Sequence, residues 1–132
     1  MIYKTPIEKK SGGLMPIVQI YTNTLSKSDI APNLIEEIRI KGSKALKCEL
    51  SNVWVLIHQL PTGSMMRETK EVTSPVVFIR ANKGRSQEDK MKFVQAISQA
   101  LSDTLQVSAQ DIWIHYQEMN PEDIWHRENW TA

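Results

Sequence analysis

The sequence predicts an α+β protein: a tandem β-α-β repeat that forms a four-stranded sheet with two helices on one face. Three observations carry this. Short β-branched apolar runs alternate with segments whose apolar residues recur at helical spacing. A proline opens two of those runs, at Pro16 and Pro75. One ungapped offset relates the halves, since Pro75 follows Pro16 by 59 residues and Trp113 follows Trp54 by the same 59. That offset also pairs Val18 with Val77, Ile20 with Ile79, Ile38 with Ile97, Ser43 with Ser102 and Leu46 with Leu105. A period repeated only twice implies a fused pair of units and not a solenoid.

Residues 1–14 are polar and broken by Pro6 and Gly12-Gly13, and read as an N-terminal extension. Residues 15–132 read as a single domain of two repeats, 16–62 and 75–121. Ile17-Val18-Gln19-Ile20-Tyr21 is the first strand, with Pro16 at its head, where a residue without an N–H is tolerated. Leu34, Ile35, Ile38 and Leu46 mark a helix, with Pro32 in its first turn and Gly42 weakening its middle. Val53 to His58 is the second strand, closed by Pro61-Thr62-Gly63-Ser64. A polar connector, Met65 to Ser74, leads to the third strand, Pro75 to Ile79. Asn82-Lys83-Gly84-Arg85 is a turn, and Ser86 with Asp89 three residues on resembles a capping box. Val94, Ile97, Leu101 and Leu105 line the second helix. Ile112 to Tyr116 is the fourth strand, and a tail with Trp125 and Trp130 follows. With both helices on one face, the strands still carry apolar residues on the other. That bare face predicts a homo-oligomer.

Composition narrows the function classes. A chain of 132 residues, 23% charged and 41% hydrophobic, fits one globular domain. Its net charge is +1, with basic and acidic residues interspersed, which argues against nucleic-acid or membrane partners. Cys48, the single cysteine, excludes an internal disulfide and suits a reducing compartment. No apolar run approaches the roughly 18 residues of a membrane span, and residues 1–14 lack the apolar core of a secretory signal. A cytoplasmic location is expected. His58 and His115 lie on strands without ligand-spaced partners, so no metal site is expected. Trp54 and Trp113 read as core or interface residues, and Cys48 receives no role.

Pro75-Val76-Val77-Phe78-Ile79-Arg80-Ala81-Asn82-Lys83-Gly84-Arg85-Ser86, a helix, and then Ile112 to Glu118-Met119 resemble the 4-oxalocrotonate tautomerase subunit. The fused form, closed by Pro121-Glu122-Asp123-Ile124-Trp125, resembles the long, trimeric members of the tautomerase superfamily. The resemblance covers residues 15 to about 126. It implies a homotrimer without a cofactor, acting on a small carboxylate substrate. It also implies an N-terminal proline, exposed by removal of the preceding methionine, as general base and acid. The chemistry suits a proline, because a free α-amine titrates at about 7.7–8.0 and burial and nearby cations lower that value.

Carried over by position, Pro16 matches the catalytic proline and Arg85 the first substrate-binding arginine. Ser26 occupies Arg85's place in the first repeat, and Pro75 lies mid-chain with an amide nitrogen. The second family arginine falls at Trp113, and at Trp54 in the first repeat, so Lys83 or Arg80 is the candidate for the missing charge. Trp125 lies near an aromatic wall position. Glu118 is a candidate to polarise water in a hydrating enzyme. The first helix has no histidine of the kind some dehalogenase members use, which disfavours dehalogenation.

Everything turns on the start of the mature chain. Met15 directly precedes Pro16, and in a bacterial gene Gly12-Gly13 suits a ribosome-binding sequence ahead of a Met15 start. Two functions follow. One is a proline-based isomerase moving a proton on a small 2-oxo or 2-hydroxydienoate acid, with a related decarboxylase, dehalogenase or hydratase as variants. The other is a catalytically silent oligomer whose N-terminal arm blocks Pro16.

Overall fold

The computed structural model describes residues 16–24, 30–67 and 70–131. The N-terminal extension, Met15 and Ser26 lie outside them. Elements follow in the order β1 (Ile17–Thr22), α1 (Ile30–Leu46), β2 (Trp54–Gln59), β3 (Met66–Arg67), β4 (Lys70–Glu71), β5 (Val76–Asn82), α2 (Gln87–Leu105), β6 (Trp113–Met119), β7 (Trp125–His126) and β8 (Asn129–Trp130). The main sheet has four strands in the order β2-β1-β5-β6. Each repeat contributes a parallel pair, β1 with β2 and β5 with β6, and the repeats join antiparallel at β1–β5. The predicted α+β tandem repeat with a four-stranded sheet is the observed architecture.

The repeat persists in backbone detail. Each helix ends on a left-handed residue, Lys47 at φ 56° and Gln106 at φ 58°, 59 positions apart. Each helix is followed by a single 3-10 turn, Leu50–Asn52 and Ala109–Asp111, again 59 apart. The Trp54 N–H donates to the Pro16 carbonyl at 3.0 Å, and the Trp113 N–H to that of Pro75 at 3.4 Å. The turn that prepares each edge strand is therefore repeated along with the apolar pattern.

The core lies between the sheet and the helices. Val18, Ile20, Val77 and Ile79 meet Leu34, Ile38, Phe93, Ile97 and Leu101, all essentially inaccessible to solvent. Gly42 does not break α1, which runs through it to Leu46. A Cβ on Gly42 would stand 2.5 Å from Cε1 of Phe93, so the glycine is a seat for the Phe93 ring. The positions 59 residues from this pair carry Leu101 and Leu34. A very small residue of the first helix against a large one of the second thus stands where the equivalent positions carry two of middle size.

The connector is more ordered than a polar loop. Its two short strands, β3 and β4, pair antiparallel, and Asn23 Nδ2 holds the Val72 carbonyl at 3.0 Å. On the sheet face away from the helices, Trp54, Leu56, Phe78 and Trp113 are 36–66% exposed. His58, Tyr21, Phe78 and His115 form a row of rings across all four strands there, with successive centroids 4.4, 5.9 and 6.2 Å apart. Trp54 and Trp113 are thus solvent-facing in the single chain, not core. No helix among the described residues is long and apolar enough to cross a membrane.

Candidate active site

The antiparallel β1–β5 pairing decides which residues meet. Ile17 lies opposite Arg80, so one further step of the register sets Pro16 opposite Ala81. On the other side of β5, Ala81 lies beside Glu118 and Asn82 beside Met119. Ala81 is buried on the helix side of the sheet, and Pro16 is buried as well, below 2% exposure. The head of β1 thus sits where β5 and β6 end.

The segment after β5 is tightly anchored. The Lys83 N–H donates to the Met119 carbonyl at 3.2 Å, and Gly84 turns the chain at φ 111°. That backbone favours glycine even though a Cβ would meet nothing. Ser86 then caps α2, accepting from the Asp89 N–H at 3.0 Å. Arg85 is held between strand end and helix cap, and its Nη1 donates to the Asn82 carbonyl at 3.2 Å.

The Arg85 guanidinium lies beside two half-buried groups, the Cys48 thiol and the Tyr116 hydroxyl. Burial pushes the Cys48 thiol up from its ordinary value, while the Arg85 charge pulls it down. The Tyr116 hydroxyl is likewise raised by burial and drawn down by Arg85. Both groups are therefore neutral at pH 7. Cys48 reaches this position because its N–H closes the end of α1 on the Ser43 carbonyl at 3.0 Å. Lys90 Nζ lies 5.4 Å from the centre of the Tyr116 ring and 3.2 Å from a Glu118 carboxylate oxygen.

The other sheet end is built alike but furnished differently. One more register step beyond Tyr21–Val76 sets Thr22 opposite Pro75. The described residues that follow β1 there are polar and uncharged: Thr22 and Thr24 join hydroxyls at 2.9 Å, and Asn23 binds the connector.

Of the predicted site residues, Pro16 and Arg85 come to one end of the sheet in one chain. Lys83 is exposed in the same turn. Arg80 alternates with buried Ile79 and Ala81, so it faces the opposite side of the sheet and bonds the Gln19 side chain. Trp125 stands on the terminal hairpin, 58% exposed and packed edge-on to Trp130 at 5.1 Å. Glu118 is at the Pro16 end, paired with Lys90. Sequence reasoning missed Tyr116, Lys90 and Cys48. The signal for Tyr116 was the period-two alternation of β6, which sets it on the helix side with Ile114. Among the described residues no group of three or more His, Cys, Asp or Glu is arranged to hold a metal ion.

A family model described as tautomerase enzyme matches residues 52–125, more than half of the chain. The chain belongs to that family, and its two-repeat architecture is that of the fused members of the tautomerase superfamily. Among solved structures it is similar to the R7 fused 4-OT wild-type asymmetric trimer, with a TM-score of 0.81 and 17% identity over 87% of this chain and 95% of that one. It is also similar to macrophage migration inhibitory factor of Toxoplasma gondii, at TM-score 0.75 and 17% identity over 86% and 97% of the two chains. A third is N1, a member of the cis-3-chloroacrylic acid dehalogenase family, at TM-score 0.73 and 15% identity over 88% and 83%. At such identities the likeness establishes the fold. A search of curated proteins returns no match.

Proposed function

We propose that this chain, in a form that begins at Pro16, is a proline-based tautomerase acting on a small 2-oxo or 2-hydroxydienoate acid. The observation that carries this is the shared location of Pro16 and Arg85 at one sheet end. Pro75, the structural twin of Pro16, lies opposite Thr22, whose hydroxyl bonds that of Thr24.

A free Pro16 nitrogen is a secondary amine whose ordinary titration lies at about 7.7–8.0. Burial and the nearby Arg85 cation both disfavour its protonated form, so a large fraction is available as base at neutral pH. Arg85 holds the substrate carboxylate and offsets the negative charge that develops on the oxygen of the dienolate. Pro16 takes the proton from the 2-hydroxyl of the dienol, or from a carbon in conjugation with the 2-oxo group, and delivers it to another carbon of the conjugated chain as the double bonds shift. No net proton is consumed, and one group serves as base and then acid.

The working form is a homotrimer. The apolar row across the bare sheet face supports self-association, because such a patch is ordinarily buried against a partner. The fused 4-OT structures that this chain resembles are trimers. Under this reading Trp54 and Trp113 are covered on assembly.

A silent oligomer is the second reading, and one feature favours it. The sequence carries 15 residues ahead of Pro16, and while they are attached the nitrogen is an amide with no basic lone pair. Intact mass of the protein isolated from its native source separates the two. A mass beginning at Pro16 sustains the enzyme; a mass that includes Met1 sinks it.

A further inference from the structure

The internal repeat runs on past the sheet. The connector hairpin β3–β4 and the terminal hairpin β7–β8 are equivalent, each residue of the first lying 59 positions before its counterpart. The Val72 N–H donates to the Met65 carbonyl at 2.8 Å, and 59 residues on the Thr131 N–H donates to that of Ile124 at 2.9 Å. The turn ahead of each hairpin matches too, with the Ser64 N–H on the Pro61 carbonyl at 3.1 Å and the Asp123 N–H on that of Asn120 at 2.9 Å. The hairpins differ in how they are tied to the sheet. Asn23, 8% exposed, donates Nδ2 to the Val72 carbonyl at 3.0 Å. Its counterpart Asn82, 5% exposed, makes no such bond to Thr131. Oδ1 of both asparagines is buried without a partner among the described residues, so the halves differ at the amide nitrogen.

The missing tie falls at the Pro16 end. Asn82 closes β5 beside Met119, the last residue of β6, and the chain then turns at Pro121 into the terminal hairpin. The Thr131 hydroxyl donates to the Pro121 carbonyl, which brings the end of the hairpin back toward Asn82. The hairpin carries Trp125 and Trp130, 58% and 57% exposed, where the connector hairpin has Met66 and Glu71. We propose that the terminal hairpin is a lid over the Pro16 end, latched when substrate binds by a hydrogen bond from Asn82 Nδ2 to the Thr131 carbonyl. The first repeat makes this same bond with the same residue in the same frame. Open, the lid admits substrate; closed, it draws the reacting centre away from water, the usual service of such an element. Substrate drives closure by binding the closed form more tightly than the open one. Asn82 is a positioning residue, since it acts through the hairpin and touches no reacting atom. The inference rests on the tautomerase reading for what enters the site.

The test uses the chain beginning at Pro16, its Asn82→Leu variant and the twin substitution Asn23→Leu. Hydrogen exchange of the amides of residues 124–131 is followed with and without phenylpyruvate. In the wild type the bound acid is expected to slow this exchange about tenfold. In Asn82→Leu the slowing is lost, KM for the enol acid rises about three- to tenfold, and kcat stays within about threefold. Free Asn82→Leu melts within about 2 °C of wild type, because no bond is lost in the open form. Asn23→Leu loses a bond already made, so its melting temperature falls by about 3–6 °C while KM is unchanged. Exchange that bound phenylpyruvate leaves unaltered in the wild type overturns the latch. So does slowing that persists in Asn82→Leu, or an Asn82→Leu chain as destabilised as Asn23→Leu. Wild-type protein that does not bind phenylpyruvate overturns the latch and the tautomerase reading together. Undiminished turnover in Pro16→Ala ends the tautomerase reading alone, because exchange still reports on the hairpin.

Discussion

At each end of the sheet a buried proline opens an inner strand, its carbonyl accepts from a tryptophan N–H of the edge strand, and the other inner strand runs out beside it. Beyond that frame the two ends part. Past β5 the chain makes the Lys83-Gly84-Arg85 turn and delivers a guanidinium next to Tyr116 and Cys48. Past β1 it makes Thr22-Asn23-Thr24, whose hydroxyls and amide are spent on each other and on the connector. Duplication supplied two equivalent scaffolds, and among the described residues the two ends differ in the guanidinium that follows β5. Proline at the head of a strand is therefore a structural habit of this fold. Charge beside it is what distinguishes a candidate site.

The largest expected effect breaks that comparison directly. In the chain beginning at Pro16, Pro16→Ala lowers kcat for enol tautomerisation by about 100-fold or more, the range of general acid–base catalysis. Pro75→Ala leaves kcat within about twofold, because its nitrogen is an amide in every form of the chain; steady-state kinetics on the two variants read the contrast. Next comes the cation. Arg85→Ala lowers kcat/KM for an enol acid by about 10- to 100-fold, as expected for a lost charge-assisted hydrogen bond. Lys83→Ala, exposed in the same turn, changes it by less than about threefold, since an exposed charge contributes little.

The two halves also differ in how they fill the core, with a smaller expected effect. Gly42→Ala gains about 1 kcal/mol in helix propensity, but the methyl meets the Phe93 ring, and overpacking costs about 1–3 kcal/mol. A net loss of stability is expected in chemical denaturation. Phe93→Leu in the same chain reverses part of it, a coupling between contacting residues that distant pairs do not show. Smallest is the alkaline response. The Cys48 and Tyr116 protons are both held more tightly in the folded state. Their stabilising contribution is whole below the unfolded-chain values, about 8.5 for a thiol and 10 for a phenol, and fades as pH rises past them. Cys48→Ala shifts the onset of that loss upward in thermal melts taken between neutral and alkaline pH.

The repeat made most of the fold legible. An offset that preserves Pro, Val, Ile and Trp at matched positions fixes strand, helix and strand twice over, and the sheet follows from burying the shared apolar face. Local periodicity does not specify how the halves meet, and the antiparallel β1–β5 pairing is what sets Pro16 at the end of the sheet where β5 runs out toward Arg85. The alternation of Val77, Ile79 and Ala81 sets Arg80 on the face away from the helices, a placement readable from the sequence. Gly42 read as a helix weakness because helix propensity carries no knowledge of the ring lying against it. Tyr116 was passed over because a tyrosine on a strand reads as packing, and its place beside the Arg85 guanidinium exists only in three dimensions.

The central claim is that a free Pro16 nitrogen beside Arg85 is a working base. Turnover of phenylenolpyruvate is the direct test, measured on the chain beginning at Pro16 and on the chain that keeps residues 1–15. Rapid tautomerisation by the first, lost in the second and in Pro16→Ala, is the predicted result. Equal rates from the two chains, or no rate above the uncatalysed reaction from the first, contradict it.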